Sequence, residues 1–388
     1  MFKIKTLNKI SPHGLDRFDK KYYTYGDDIE NPDGIMVRSA SMHDMEMPEG
    51  LKAIARAGAG VNNIPLDVCS QKGIVVFNTP GANANAVKEL VLLGLLLSSR
   101  KVVNGIDWVK TLKGNGDEVG KMVEKGKSAF AGPEIAGKTL GVIGLGAIGV
   151  LVANAADKLG MKVYGYDPYL SVDAAWNLSH NVMHATELKD IYENCDYITI
   201  HVPCNKETRE MISEESIALM KNGVRILNFA RGELVANDDM IAALESGKVA
   251  AYITDFPNDK IIGVDGVISI PHLGASTPES ENNCASMAAD ELINFLETGS
   301  IKNSVNMPAM ELGRTSNTRV CVIHKNVPNM LSQISGAFSK ENVNIEKLSN
   351  NSRGEYAYTV VETADDVKDS IVSELKAVAD VIRVWVIK

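Results

Sequence analysis

Thr139-Leu-Gly-Val-Ile-Gly-Leu-Gly-Ala-Ile-Gly149 decides the fold. Glycines 144, 146 and 149 spell GxGxxG, a weak signal alone but a strong one in context. The apolar run Thr139–Gly144 predicts a strand leading in. A small-residue helix, Ile148–Leu159, leads out and stops at Gly160. A second strand, Met161–Tyr166, ends at Asp167. Each part has a physical task. Gly144 permits the tight turn, Gly146 admits a pyrophosphate to the backbone, and Gly149 lets helix and strand pack closely. The helix start, with Ala147 and Ile148, offers free N–H groups and a positive dipole end. Asp167 accepts from both ribose hydroxyls and repels a 2′-phosphate, so NAD is the expected cofactor rather than NADP.

The α/β rhythm continues outward from this turn. Tyr197–Val202, Val224–Phe229, Val249–Asp255 and Gly266–Ile270 read as further strands. Upstream, Gly34–Val37, Leu51–Ile54 and Gly73–Phe77 read as strands and Ala86–Ser99 as a buried helix. Glycines 114, 116, 120, 126 and 132 break any period, so 111–132 is expected to be loop-rich. Thr277-Pro278-Glu279 opens a helix running to Thr298, before Gly299. A polar stretch, 304–317, reads as a linker. Beyond it the order is βαββαβ: Arg319–His324, a helix with Leu331, Ile334 and Phe338 on one face, Val343–Leu348, Tyr356–Glu362, Asp365–Ala379 and Val381–Ile387. That order predicts a separate ferredoxin-like domain.

Composition bounds the function. The 388 residues suffice for two or three domains, and 45% hydrophobic with 23% charged is ordinary for a globular chain. Forty basic against 49 acidic side chains give a formal net charge of −9, which argues against nucleic acid as a partner. The longest apolar run, Leu90–Leu97, is too short to span a bilayer, and Met1–Ile10 lacks a secretory core, so no membrane role is expected. Five scattered cysteines, none spaced as CxxC, predict neither disulfides nor a metal site and fit the reducing cytoplasm.

Three polar candidates follow strand ends on the edge where open α/β sheets bind ligands. Arg231 follows Val224–Ala230, Asp255 and Asp259 follow Val249–Thr254, and His272 follows Ile268–Pro271. An Arg fork suits a carboxylate, a His takes a hydroxyl proton as hydride leaves, and an acid orients the His.

The segments Gly144–Gly149, Asn228-Phe-Ala-Arg-Gly232 and Pro271-His-Leu-Gly-Ala-Ser-Thr277 resemble the D-isomer-specific 2-hydroxyacid dehydrogenases. Arg56-Ala-Gly-Ala-Gly-Val61, Asn62-Asn63 and Asn78-Thr-Pro-Gly81 resemble family segments near the N-terminus. The resemblance implies two doubly wound parallel-sheet (Rossmann-like) domains with a cleft between them. Residues 1–98 and 276–303 would bind substrate, 99–275 would bind NAD, and 318–388 would form the small third domain. It gives Arg231 and His272 the catalytic roles. It places Ala230 against the cofactor and Asp255 on the nicotinamide carboxamide. Where the family has a Glu-Pro, this chain has the shorter Asp255-Phe-Pro-Asn-Asp259, so Asp259 is the expected partner of His272.

Val37-Arg-Ser39 resembles a substrate-phosphate segment, which makes Arg38 and Ser39 candidates for the phosphate of a phosphorylated 2-hydroxy acid. Gly60, Gly81 and Asn83 are placed near substrate, and Lys125 and Lys127 are further basic candidates. The implied reaction is NAD-linked oxidation of 3-phospho-D-glycerate to 3-phosphohydroxypyruvate. The alternatives are a glyoxylate or hydroxypyruvate reductase, and a non-catalytic NAD-sensing module. His324-Lys-Asn-Val-Pro-Asn-Met-Leu331 resembles the start of an ACT domain, with Asn329 where that pattern has Gly. Asn tolerates left-handed angles, so the turn is expected to survive. The resemblance offers His324, Asn326 and Asn344 as contacts for an L-serine effector, and a homodimer or homotetramer as the assembly.

Overall fold

Five short segments build a first parallel sheet: β1 (Phe2–Leu7), β2 (Tyr23–Gly26), β3 (Gly34–Val37), β4 (Ala53–Arg56) and β5 (Val75–Phe77). Their spatial order is β2-β1-β3-β4-β5, with every pair parallel. Strands β3 to β5 are buried on both faces up to the half-buried Arg56 that ends β4, hence their nearly unbroken apolar character. On one face Met36, Ala55, Val75 and Phe77 pack against Ala285, Ala288, Leu292 and Phe295 of the Pro278–Thr298 helix. On the other, Ile35, Val37, Ile54 and Val76 pack against Met42, Leu51 and Cys69. The computed structural model describes residues 1–313, 315 and 317–388, and it divides into two units, Met1–Asn83 with Pro278–Lys388, and Ala84–Thr277.

The second unit holds a seven-stranded parallel sheet. Its strands are β6 (Thr139–Ile143), β7 (Lys162–Tyr166), β8 (Met183–His184), β9 (Tyr197–Ile200), β10 (Val224–Asn228), β11 (Val249–Thr254) and β12 (Val267–Ser269). The order β12-β11-β10-β9-β6-β7-β8 reverses direction between β6 and β9, which makes that gap the switch point of a Rossmann sheet. The Ala84–Ser99 helix groups with this sheet. Its Val87, Val91 and Leu95 are buried with Leu140, Val142 and Leu227. Gly94 sets the approach, since a Cβ there would crowd Leu227 and Phe229.

The stretch expected to be loop-rich, 111–132, is instead mostly helical. Val119–Gly126 is an α-helix flanked by 3-10 turns at Gly116–Glu118 and Lys127–Phe130. Trp108 and Phe130 pack at 5.2 Å between ring centroids. Gly126 lies under Trp108 with no room for a Cβ, so this glycine serves packing rather than chain flexibility.

The C-terminal sheet is antiparallel, from β13 (Thr318–Lys325), β14 (Lys347–Arg353), β15 (Tyr356–Thr363) and β16 (Val381–Ile387) in the order β14-β15-β13-β16. The second strand starts at Lys347, later than the Val343 expected, because 343–346 still belong to the approach. Asn329 adopts φ 69°, the left-handed angle its turn needs. This sheet packs on two sides. Val320, Val322 and Val361 face its own helices, while Cys321, Ile323, Tyr358 and Val360 join the core of the first sheet. The expected linker is ordered where described: Met307 and Met310 are buried, and Ile301 bridges Met310. Residues 314 and 316 of that stretch lie outside the described residues.

Candidate active site

The loop after β6 is built by its glycines. Gly144 takes φ 92°, and a Cβ there would strike the His201 carbonyl. A Cβ on Gly149 would run into the Gly144 carbonyl. Gly146 differs: nothing lies within 4 Å of its Cβ position. That open space over the helix start is the cradle a pyrophosphate requires. Gly146 is the N-cap of the Ala147–Lys158 helix, and no side chain caps it. The first-turn N–H groups of Ala147, Ile148 and Gly149 are therefore presented outward. Asp167 follows β7. Its Oδ2 accepts from the Leu145 N–H and its Oδ1 from the Tyr169 N–H, both at 2.8 Å, which locks the turn and leaves a lone pair on each oxygen. His201, absent from the sequence candidates, ends β9 beside this turn, its Nε2 3.0 Å from Thr199 Oγ1. Dehydration pushes its pKa down to about 4, so it stays neutral near the phosphate cradle.

Asn228, at the end of β10, organises the presentation of Arg231. Fully buried, it donates to the Arg231 carbonyl (2.8 Å) and accepts from the N–H groups of Ala230 (3.2 Å) and Arg231 (3.3 Å). Sequence reading gave it no role, although Asn's habit of folding its own following backbone was the available signal. Arg231 Nη1 donates to the Ala230 carbonyl at 2.6 Å, which leaves most of the guanidinium fork free.

Asp255 is 1% exposed. Its Oδ2 accepts from the Gly274 N–H at 3.4 Å, and its Oδ1 is buried without a hydrogen-bond partner. Burial raises its pKa, while His272 and Arg231 pull it back. Those two side chains are thus its electrostatic neighbours. His272 is exposed and leans on the Phe256 ring at 4.8 Å. Asp259 does not join this group. Among the described residues no hydrogen bond or ion pair links it to His272, the partner expected for it. The reason is local: Asn258 closes a tight turn onto Lys260 and Ile261, and buried Ile261 anchors it, leaving Asp259 on the exposed side. The acid beside His272 is Asp255.

The orphan Oδ1 of Asp255 and the open cradle at Gly146 both fit a nicotinamide dinucleotide. The first is a ready acceptor for a carboxamide N–H, and the second is a seat for two phosphates.

In the other unit, the candidates Arg38, Ser39, Gly60, Gly81 and Asn83 all follow C-terminal strand ends of the first sheet. Asn8 after β1, at φ 67°, accepts from the Ser39 N–H at 3.1 Å. Gly81 takes φ 82°. Arg38 is already engaged, with Nη2 2.7 Å from Glu281 Oε1. Lys127 pairs with Glu124, and Lys125 is exposed. In the C-terminal sheet the three effector candidates separate. His324 is 2% exposed, with Nδ1 on the Lys325 carbonyl (2.7 Å) and Nε2 on Thr359 Oγ1 (2.9 Å), so its ring is not open to a ligand. Asn326 donates to the Gly354 carbonyl and Asn344 to Glu346, both at the surface.

A family model described as D-isomer specific 2-hydroxyacid dehydrogenase, NAD binding domain, matches residues 93–274. Another, described as AHAS small subunit-like ACT domain, matches residues 320–383. The chain is 31% identical over 328 residues to a D-3-phosphoglycerate dehydrogenase of Bacillus subtilis, covering 80% of this chain and 60% of that protein. It is 36% identical over 289 residues to one of Methanocaldococcus jannaschii, covering 72% and 53%. It thus spans little more than half the length of these relatives. Among solved structures, an NAD+-bound 3-phosphoglycerate dehydrogenase of Entamoeba histolytica superposes with a TM-score of 0.62 at 27% identity, covering 79% of this chain and 98% of that one.

Proposed function

We propose that residues 93–274, which match the NAD-binding domain model of the D-isomer-specific 2-hydroxyacid dehydrogenases, bind NAD, and that this protein oxidises 3-phospho-D-glycerate to 3-phosphohydroxypyruvate. The observation that carries the reading is the grouping of Arg231, His272 and a buried, half-unsatisfied Asp255 on the sheet edge that bears the dinucleotide turn. Gly144–Gly149, Asp167, Ala230 and Asp255 hold NAD, which when bound accepts the hydride from C2. The Arg231 fork pairs with the substrate carboxylate. His272 takes the C2 hydroxyl proton as the C2–H bond breaks and the carbonyl forms. Asp255 supplies the negative field that favours the imidazolium formed in that step. Arg38 and Ser39 take the phosphate, and Gly60, Gly81 and Asn83 line the substrate.

His272→Ala is expected to lower kcat by roughly 100-fold or more while leaving NAD affinity within about twofold. Retained turnover in an NADH absorbance assay with 3-phosphoglycerate would remove His272 from the mechanism. One observation favours a second reading. Glu281 neutralises Arg38, as would suit an unphosphorylated substrate such as glyoxylate or hydroxypyruvate. Comparing kcat/KM for phosphorylated and unphosphorylated acids separates the two.

We further propose L-serine as an effector, acting through Asn326 and Asn344. The assembly is a homodimer or homotetramer, and the surface offered for it is the Val102–Thr111 helix, which buries none of its residues within the chain and exposes Ile106 and Val109. Light scattering tests the assembly, and inhibition by serine tests the effector. The five free thiols fit the cytoplasm. No helix among the described residues is long and apolar enough to cross a membrane.

A further inference from the structure

Strand β5 is an edge of the first sheet, and an exposed edge offers a row of unpaired backbone groups. Residues 303–306 cover it. Phe77 and Ser304 form an antiparallel bridge, and the Val305 N–H donates to the Val76 carbonyl at 2.9 Å. The Asn78 N–H donates to the Asn303 carbonyl at 3.4 Å. Asn306 extends the row with its side chain. Its Oδ1 accepts from the Val76 N–H (2.8 Å) and its Nδ2 donates to the Ile74 carbonyl (2.9 Å), so one amide stands in for a backbone peptide. This strap therefore grips the last residues of β5, which run directly into Asn78–Asn83.

The strap is held from behind as well. Asn303 Nδ2 donates to the buried Glu291 Oε1 at 2.7 Å. The Ser304 carbonyl accepts from Arg353 Nη1 at 2.7 Å, and the Ala309 carbonyl from Asn351 Nδ2 at 2.6 Å. Arg353 and Asn351 both lie on β14 of the ACT sheet. Arg353 is exposed and carries no core packing, yet its guanidinium supplies a charge-assisted bond at the middle of the strap.

We propose that Arg353 is a positioning residue for the substrate: by holding the Ser304 carbonyl it seats the 303–306 strap on β5, and the seated strap fixes the Asn78–Asn83 turn. The proposal rests on the reading above, in which Gly81 and Asn83 line the substrate. It gives the ACT sheet a direct mechanical hold on the substrate side that needs no effector.

The test compares full-length wild type, Arg353→Ala and Arg353→Lys. Arg353→Ala is expected to raise KM for 3-phosphoglycerate roughly fivefold, the scale of one net hydrogen bond. KM for NAD and kcat should stay within about twofold, and Arg353→Lys, whose ammonium can donate to the same carbonyl, should restore most of the loss. Amide exchange at Val76 and Asn78, both donors to the strap, should quicken in Arg353→Ala. Unchanged KM with unchanged exchange overturns the proposal. So does an equal rise in both KM values, which signals general loosening. If the wild type turns over no phosphoglycerate, the functional reading fails on its own. The exchange arm then still decides: faster exchange confined to 76–82 supports the seating role, and unaltered exchange ends it.

Discussion

Arg38 and Glu281 are each about two-fifths exposed, at 40% and 42%, and an ion pair so wet contributes only about 0–1 kcal/mol. A phosphate dianion would displace the Glu281 carboxylate at little cost, yet the acid still competes for the guanidinium. Glu281→Gln should therefore lower KM for 3-phosphoglycerate roughly twofold to fivefold, and leave glyoxylate kinetics unaltered. Steady-state kinetics on both acids check this, and an equal effect on both would take Arg38 away from the phosphate. Glu291 makes a residue-scale prediction of another kind. It is 7% exposed, its Oε2 has no partner, and burial pushes its carboxyl up to about 8 against an ordinary 4.5, with the Asn303 bond pulling the other way. The folded protein thus holds this proton more tightly than the unfolded chain does. The stabilisation is complete below about pH 4.5 and is lost as pH rises toward about 8. Glu291→Gln keeps an acceptor for Asn303 and removes the titration. Its denaturant midpoint, relative to wild type, should climb between pH 5 and pH 9. A constant difference across that range would refute the assignment.

At the scale of the element, the dinucleotide turn separates two kinds of glycine requirement. Gly149 is needed by the fold, because its Cβ would collide with the Gly144 carbonyl. Gly146 is not required by the fold, because its Cβ would meet only open space, and on the proposed reading it is the bound dinucleotide that excludes a side chain there. Gly149→Ala should destabilise the protein by about 1–3 kcal/mol or more in chemical unfolding. Gly146→Ala should leave stability within about 0.5 kcal/mol and weaken NAD binding by calorimetry. Equal effects on stability would show that the two glycines do the same job. The glycine-rich stretch 111–132 teaches the converse. There Trp108 occupies the space that a Cβ on Gly126 would take, and a count of helix-breaking residues contains no information about which aromatic ring will lie across them.

At the scale of the whole molecule, the C-terminal sheet acts as a wall of the first sheet's core. Cys321, Ile323, Tyr358 and Val360 share that core with Phe77, Phe295 and Met307, Trp385 packs against it, and the Tyr358 hydroxyl donates to the Gly299 carbonyl at 2.7 Å. Arg319, 4% exposed, pairs with Glu362 at 2.9 Å and donates to the Thr298 carbonyl at 2.7 Å. Ending the chain after Leu312 would uncover this apolar surface and strand those polar partners. The truncated protein should aggregate or lose its cooperative thermal transition, whereas a tethered module would come away without effect. Size-exclusion chromatography and scanning calorimetry distinguish these outcomes.

Sequence alone determined what depends on near neighbours and on chemistry. The GxGxxG turn, its flanking strands and Asp167 were legible because each glycine's role is set within a few residues of backbone. The position of Arg231, Asp255 and His272 after strand ends was legible because strand ends in a parallel sheet face one edge. The left-handed Asn329 belongs to the same class. What only the tertiary structure decided was pairing across distance: the charge of Asp255 felt with His272, Glu281 on Arg38, the Ala84–Ser99 helix on the second sheet, and the strap on β5. One sign of the two-faced C-terminal sheet was present, since the unbroken apolar run Val320–Ile323 marks a strand buried on both sides. Such a run states that a second layer exists but not which residues form it, because burial is a property of a partner surface and that surface is assembled from segments more than two hundred residues away, such as Phe77.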